Sequence, residues 1–128
     1  MLLKIIFYGL ILLLAFWGYR HFSAPEHRLN IGQPAPNFEL EDTKGNRVNV
    51  HQFKQHWLVL YFYPKDDTPG CTKEACHFRD DMHQLEKLGA KVVGVSVDNK
   101  QSHIAFANKY ALPFPLLSDT EGSVANAY

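Results

Sequence analysis

Two runs dense in β-branched and aromatic residues, 57–63 (WLVLYFY) and 91–97 (KVVGVSV), bracket a single helical pattern, and this arrangement constrains the fold most. Runs of that kind predict strands covered on both faces. Between them Cys71, Ala75, Phe78, Met82 and Leu85 recur at the spacing of one helix face, and Gly89 follows as a C-terminal stop. Strand, helix, strand in this order predicts a right-handed crossover unit with a parallel sheet. Functional groups in such sheets collect beyond the carboxyl ends of the strands. Residues 64–70 (PKDDTPG) hold that place after the first run.

The flanking segments extend the same α/β class. Residues 38–40 and 48–50 enclose a turn-rich stretch with Gly45, a hairpin signal. Residues 102–110 read as a short helix, Leu116 and Leu117 as part of a strand, and 120–128 as the start of another helix. A chain of 128 residues has room for one domain, expected at 31–128. Its 13 basic and 13 acidic side chains balance, and no Lys/Arg run interrupts the mixture. Nucleic acid is therefore not an expected partner.

The first thirty residues have a different character. Residues 1–19 (MLLKIIFYGLILLLAFWGY) carry one charged side chain, Lys4, and end on Trp17 and Tyr19. A span needs about 20 apolar residues, and interfacial aromatics belong at its end. The small residues of a signal-peptidase site are missing around 16–22 (FWGYRHF). Residues 1–20 are thus expected to form an uncleaved signal anchor, a transmembrane helix. Residues 21–30 are expected as a polar linker, and the domain as exported from a bacterial inner membrane.

Chemistry concentrates at Thr68-Pro69-Gly70-Cys71. Thr is a favoured N-cap and Pro a favoured first helical residue, so Cys71 falls near the third helical position. Unpaired N–H groups and the positive dipole end favour a thiolate there. The competing reading makes Cys71 a small apolar residue continuing the Ala75, Phe78, Met82 stripe. Cys76 lies about 140° further around the helix, with its Cα about 8.7 Å from that of Cys71. A disulfide needs about 7 Å or less, so a bridge between them requires the first turns to unwind. A metal site built from Cys71, Cys76, His77 and His83 is disfavoured, because one helix cannot converge these groups on a tetrahedral ion. His77 and His83 read as solvated surface residues, and no cofactor is implied.

Residues 61–80 (YFYPKDDTPGCTKEACHFRD) closely resemble the active-site segment of the bacterioferritin-comigratory, or Q-type, peroxiredoxins. Pro64, Thr68 and Cys71 match the pattern P-x-x-x-T/S-x-x-C, and Cys76 matches this subgroup's second cysteine. IGQPAPNFEL from Ile31, VVGVSVD and LPFPLLSD agree as well. The resemblance covers residues 31–128 and implies a thioredoxin-like fold with a central, mostly parallel sheet. It implies reduction of hydrogen peroxide and organic hydroperoxides, with Cys71 becoming a sulfenic acid, Thr68 bonding the thiolate or peroxide, and Pro64 shielding the site from water. It further implies that Cys76 resolves the sulfenic acid as a disulfide, that a thioredoxin-like partner reduces it, and that the complete protein is monomeric. Glu74 opposes thiolate formation by itself but in the family helps orient an arginine on a later strand. That strand would follow Tyr128, so the domain is expected to be C-terminally incomplete. The principal alternative is a membrane-anchored thioredoxin-fold copper chaperone or disulfide reductase, which normally carries C-x-x-C or C-x-x-x-C rather than C-x-x-x-x-C. A purely structural thioredoxin-like module is a third reading.

Overall fold

The computed structural model describes residues 29–128. The expected anchor at 1–20 and most of the 21–30 linker lie outside the described residues. Among the described residues no helix is long and apolar enough to cross a membrane.

Strands β1 (Glu39–Asp42) and β2 (Arg47–Asn49) form the expected hairpin. Asp42 shapes its turn, with Oδ1 accepting from the Lys44 and Asn46 amides, each at 2.8 Å. Gly45 takes φ +85° there, a conformation that side chains resist. A 3-10 turn (Val50–Phe53) leads into β3 (Trp57–Phe62) and α1 (Pro69–Lys87). Strand β4 (Ala90–Ser96), α2 (Lys100–Tyr110), β5 (Leu116–Ser118) and α3 (Ser123–Ala127) complete the order. The crossover unit is present, with β3 and β4 parallel from Trp57 opposite Ala90 to Phe62 opposite Val95.

Two expectations are corrected. The sheet is mixed rather than mostly parallel, in the order β2-β1-β5-β4-β3. Strand β1 runs antiparallel to both β2 and β5, whereas β5–β4 and β4–β3 are parallel. Crossover helices enforce the parallel pairs, but β1 and β2 join through a tight hairpin that permits only the opposite sense. Strand β3, expected to be covered on both faces, is an edge strand. Trp57 is 77% exposed, and Leu58 and Leu60 are only half-buried, lining one open cavity with Val50, Phe53 and Tyr128.

Helices α1 and α2 cover one face of the sheet. There Tyr61, Tyr63, Cys71, Ala75, Val92, Phe106, Phe114 and Leu116 form one cluster. Phe38, Val48, Val93, Val95, Leu117 and Val124 form another on the opposite face. The split of Val92 from Val93 and Val95 is the period-two alternation of a strand. Each such fully buried aliphatic side chain contributes about 1.5–3 kcal/mol. Gly94 leaves a gap on the α1 side. A Cβ there would lie 2.8 Å from the Tyr61 Cζ and hydroxyl oxygen and from Leu116 Cδ2. That gap seats the Tyr61 ring, which meets Tyr63 at 5.5 Å and Phe78 at 4.8 Å between centroids.

Candidate active site

The start of α1 forms as the sequence indicates. Thr68 is the extended N-cap (φ −85°, ψ 152°), Pro69 is the first helical residue, and Cys71 is the third. The Thr72 amide donates to Thr68 O at 2.8 Å, closing the first turn. The Thr68 side chain does not cap the helix but donates from Oγ1 to Lys65 O at 3.2 Å. The Gly70 and Cys71 amides precede the first intrahelical bond and keep their donors. Cys71 itself is 8% exposed, packed in the α1-side cluster. Negative charge is favoured at such a position by the amides and by the helix dipole.

Cys76 is half-buried, and both thiols are free. Helix α1 is continuous through both cysteines, so their Cα atoms stand about 8.7 Å apart, too far to bridge. The same divergence removes the two-sulfur ligand pair that the copper-chaperone reading needs. Arg79, one turn after Cys76, donates from Nη1 to Tyr110 O at 2.9 Å and from Nε to Asp80 Oδ1 at 2.8 Å. The Asp80 bond, and after it the neighbouring Cys76, hold this guanidinium more firmly charged.

Glu74 is exposed one turn beyond Cys71. With Gly70, Lys73, His77, Phe78 and Asp81 it lines an open cleft of about 440 Å³ along α1. Pro64 is exposed and lines a different cavity of about 280 Å³, where Tyr63, Val97 and Ala125 are its neighbours. Thr68 and Cys71 therefore share one turn, Glu74 stands at its rim, and Pro64 and Cys76 are set apart. His77 and His83 are exposed, as read from their positions on the helix.

Several groups around the site escape a reading of the sequence. Asp66 and His103 are buried together, with His103 Nδ1 2.8 Å from Asp66 Oδ2. Burial alone would raise the Asp66 carboxyl, but bonds from His103, Ser102 and Tyr63 outweigh it and hold it below its ordinary value. Burial, and then the bond to Asp66, push the Tyr63 hydroxyl strongly upward. Tyr61 is raised by burial first, then by the charges of Glu74, Asp66 and Cys71, and its buried hydroxyl has no hydrogen-bond partner among the described residues. Asp67 has a left-handed φ of 56°, and its carboxylate accepts from Lys109 Nζ and Tyr110 OH, both at 2.6 Å. One signal was available, because His103 shares the helical stripe of Phe106 and Tyr110 and a polar group there demands partners. The Asp66-Asp67 pair gave none, since it reads as ordinary turn chemistry.

The family model described as AhpC/TSA matches residues 31–128. The chain belongs to the AhpC/TSA family. Its relatives include a chloroplastic peroxiredoxin Q of Populus jackii, 53% identical over 92 residues, covering 72% of this chain and 43% of that protein. A putative peroxiredoxin bcp of Coxiella burnetii is 49% identical over 100 residues, covering 78% and 66%. Among solved structures, peroxidoxin BcpB of Mycobacterium tuberculosis superposes with a TM-score of 0.75 at 38% identity, covering 79% of this chain and 66% of that one. Peroxiredoxin Q of Xanthomonas campestris gives 0.69 at 41% identity, covering 71% and 58%. The chain spans half the length, or less, of the plant relatives that it matches. These neighbours support the expected thioredoxin-like α/β fold for this AhpC/TSA member. The expectation of an inner-membrane anchor with an exported domain is corrected. No membrane-spanning helix occurs among the described residues, and the relatives named with a compartment are chloroplastic.

Proposed function

We infer that the protein is a thiol-dependent peroxidase that reduces hydrogen peroxide and organic hydroperoxides through Cys71. One observation carries this reading: Cys71 is the third residue of α1, beneath an N-cap whose side chain leaves the Gly70 and Cys71 amides free. Those amides face charge that develops on or beside the sulfur, which is the arrangement that lowers a barrier most. The Cys71 thiolate attacks one peroxide oxygen, the O–O bond breaks, and the other oxygen leaves with a proton as water or an alcohol. Cys71 is then a sulfenic acid, the first step on the oxidation ladder. The Thr68 hydroxyl, in the same turn, rotates from Lys65 O to bond the thiolate or the peroxide. Glu74 bounds the entrance.

Cys76 attacks the sulfenic sulfur and releases water, forming a disulfide between Cys71 and Cys76. Since α1 holds them too far apart, its first turns unwind for this step. A thioredoxin-like dithiol then exchanges with the disulfide and is itself oxidised. The chain's similarity to proteins named peroxiredoxin Q and bcp supports the same reading, and peroxide consumption implies an antioxidant role.

The test is peroxide consumption coupled to a thioredoxin system, with wild type, Cys71→Ser and Cys76→Ser compared. Cys71→Ser should abolish consumption, and Cys76→Ser should still form one equivalent of sulfenic acid, trapped by a carbon nucleophile. Trapping at Cys76 but not at Cys71 in wild type would overturn the assignment.

A further inference from the structure

The 64–70 loop is fastened from behind by a buried cluster that the peroxide chemistry does not touch. Asp66 is 7% exposed and His103 is fully buried. Asp66 Oδ1 accepts from Tyr63 OH at 2.7 Å, and Oδ2 accepts from Ser102 Oγ at 2.7 Å while facing His103 Nδ1 at 2.8 Å. The other ring nitrogen of His103, Nε2, lies 3.2 Å from Leu117 O in β5. A carbonyl oxygen only accepts, so Nε2 carries a hydrogen. Nδ1 and Oδ2 must share a second proton, because two lone pairs cannot face each other at that distance. With both hydrogens in place, the His103 ring ties α2 and β5 to the loop.

The neighbouring residues extend the fastening. The Asp66 amide donates to Asp98 Oδ2 at 2.6 Å, and Asp98 is held by Ser96 Oγ at 3.2 Å. Asp67 is bonded to Lys109 and Tyr110 of α2. Thr68 follows at once as the N-cap of α1. The backbone that delivers Cys71 is therefore referenced to β4 through Tyr63, whose amide donates to Val95 O, to β5 through His103, and to α2 through Ser102, His103 and Lys109. The charged and titratable groups nearest the pair are Tyr63, just past β3, Tyr61 of β3, and Asp98 from the turn after β4, while Asp67 and Lys109 pair on the exposed side of the loop. Strand β5 offers only a carbonyl.

We propose that Asp66 and His103 form a positioning pair for Cys71, whose shared proton sets the place at which the 64–70 loop presents Thr68 and the Gly70 and Cys71 amides. The pair touches no reacting atom and acts through the backbone of α1's first turn. The proposal rests on the reading of Cys71 as the reacting thiol. Misplacement of catalytic donors by about 1 Å costs on the order of 100-fold in rate. Losing one of several fastenings should cost less.

Two substitutions at one position separate positioning from simple support. His103→Asn puts an amide donor where Nδ1 stands and keeps the bond to Asp66 while giving up Leu117 O. His103→Gln reaches towards Leu117 O and gives up Asp66. Both remove one buried bond, so a purely structural role predicts similar unfolding midpoints and similar rates. In a Cys76→Ser background, two rates are measured for Cys71: oxidation by hydrogen peroxide and alkylation by iodoacetamide. His103→Gln should slow peroxide oxidation roughly tenfold or more, and His103→Asn should stay within about threefold of the parent. Equal slowing in both variants, or slowing in neither, overturns the pairing. Should His103→Gln fail to fold, Tyr63→Phe removes one Asp66 donor at nearly constant volume and should give an intermediate loss. An unchanged rate in Tyr63→Phe then counts against the pair. If the parent protein does not consume peroxide, the peroxidase reading fails, but the alkylation rates still show whether His103 governs the reactivity of Cys71.

Discussion

Replacing Gly94 by alanine tests whether the packing beneath the site is as close as the distances imply. The new methyl would stand 2.8 Å from three atoms, two on Tyr61 and one on Leu116. Real Cβ contacts are close to 1 Å longer, so something must yield. Leu116 is fully buried, and Tyr61 is 8% exposed with its ring against Tyr63, Phe78 and Phe114. Neither has free space to enter. Overpacking of this kind costs about 1–3 kcal/mol. In a domain of this size, 1 kcal/mol shifts the midpoint by about 4–8 °C. Gly70 is the control, because a Cβ there meets nothing within 4 Å and its φ is not in the left-handed region. Gly70→Ala should be neutral or stabilise by up to about 1 kcal/mol, through the unfolded chain. Urea unfolding of both variants, followed by far-ultraviolet circular dichroism, measures the difference. If Gly94→Ala unfolds within about 0.5 kcal/mol of wild type, the close seating of Tyr61 under α1 is wrong.

Oxidation to the Cys71–Cys76 disulfide should speed amide exchange across 69–76 and leave α1 beyond Arg79, which is bonded to Tyr110 O, protected; equal protection in both redox states would refute the unwinding. The lowered carboxyl of Asp66 contributes stability that is full above its ordinary value of 3.8 and is lost as pH falls below it, so Asp66→Asn should flatten the acid limb of a stability profile. The raised hydroxyl of Tyr63 works in the other direction: its contribution is full below the ordinary value of 10.0 and is lost at higher pH, so Tyr63→Phe should flatten the alkaline limb. Lys109→Met should leave the unfolding midpoint nearly unchanged, since the Asp67 pair is exposed, yet it should raise protease nicking in the 64–70 loop.

What the sequence displays, and what it hides, follows from how far each interaction reaches along the chain. The periodicities of α1 and β4 are local, and a helix stripe or a buried run needs only its own residues to be visible. The N-terminus of α1 is local in the same sense, because Thr68, Pro69 and Cys71 state the cap, the first position and the thiol within four residues. Edge against centre is a property of the whole sheet. The run at 57–62 looks as apolar as that of β4, yet its neighbour on one side is absent from the described sheet order. The sense of β1 depends on which distant strand receives it, and Glu41 meets Ser118 only after the crossovers have formed.

The positioning of Cys71 belongs to the second kind of information. Asp66 and His103 are 37 residues apart, and neither spacing nor composition pairs them. Physical bookkeeping demands only that His103 have partners, since a histidine on a core-facing stripe costs stability unless both ring nitrogens are satisfied. Asp66, Asp67, Asp98 and Asp119 all follow strand ends, and it is the folded chain that selects Asp66. The turn-like acidic pair beside Cys71 is thus better explained as one exposed tie, Asp67, and one buried tie, Asp66, than as two turn residues. Thiol placement at a helix start needs both: a local signal that makes the first turn, and a distant polar partner that decides where that turn sits.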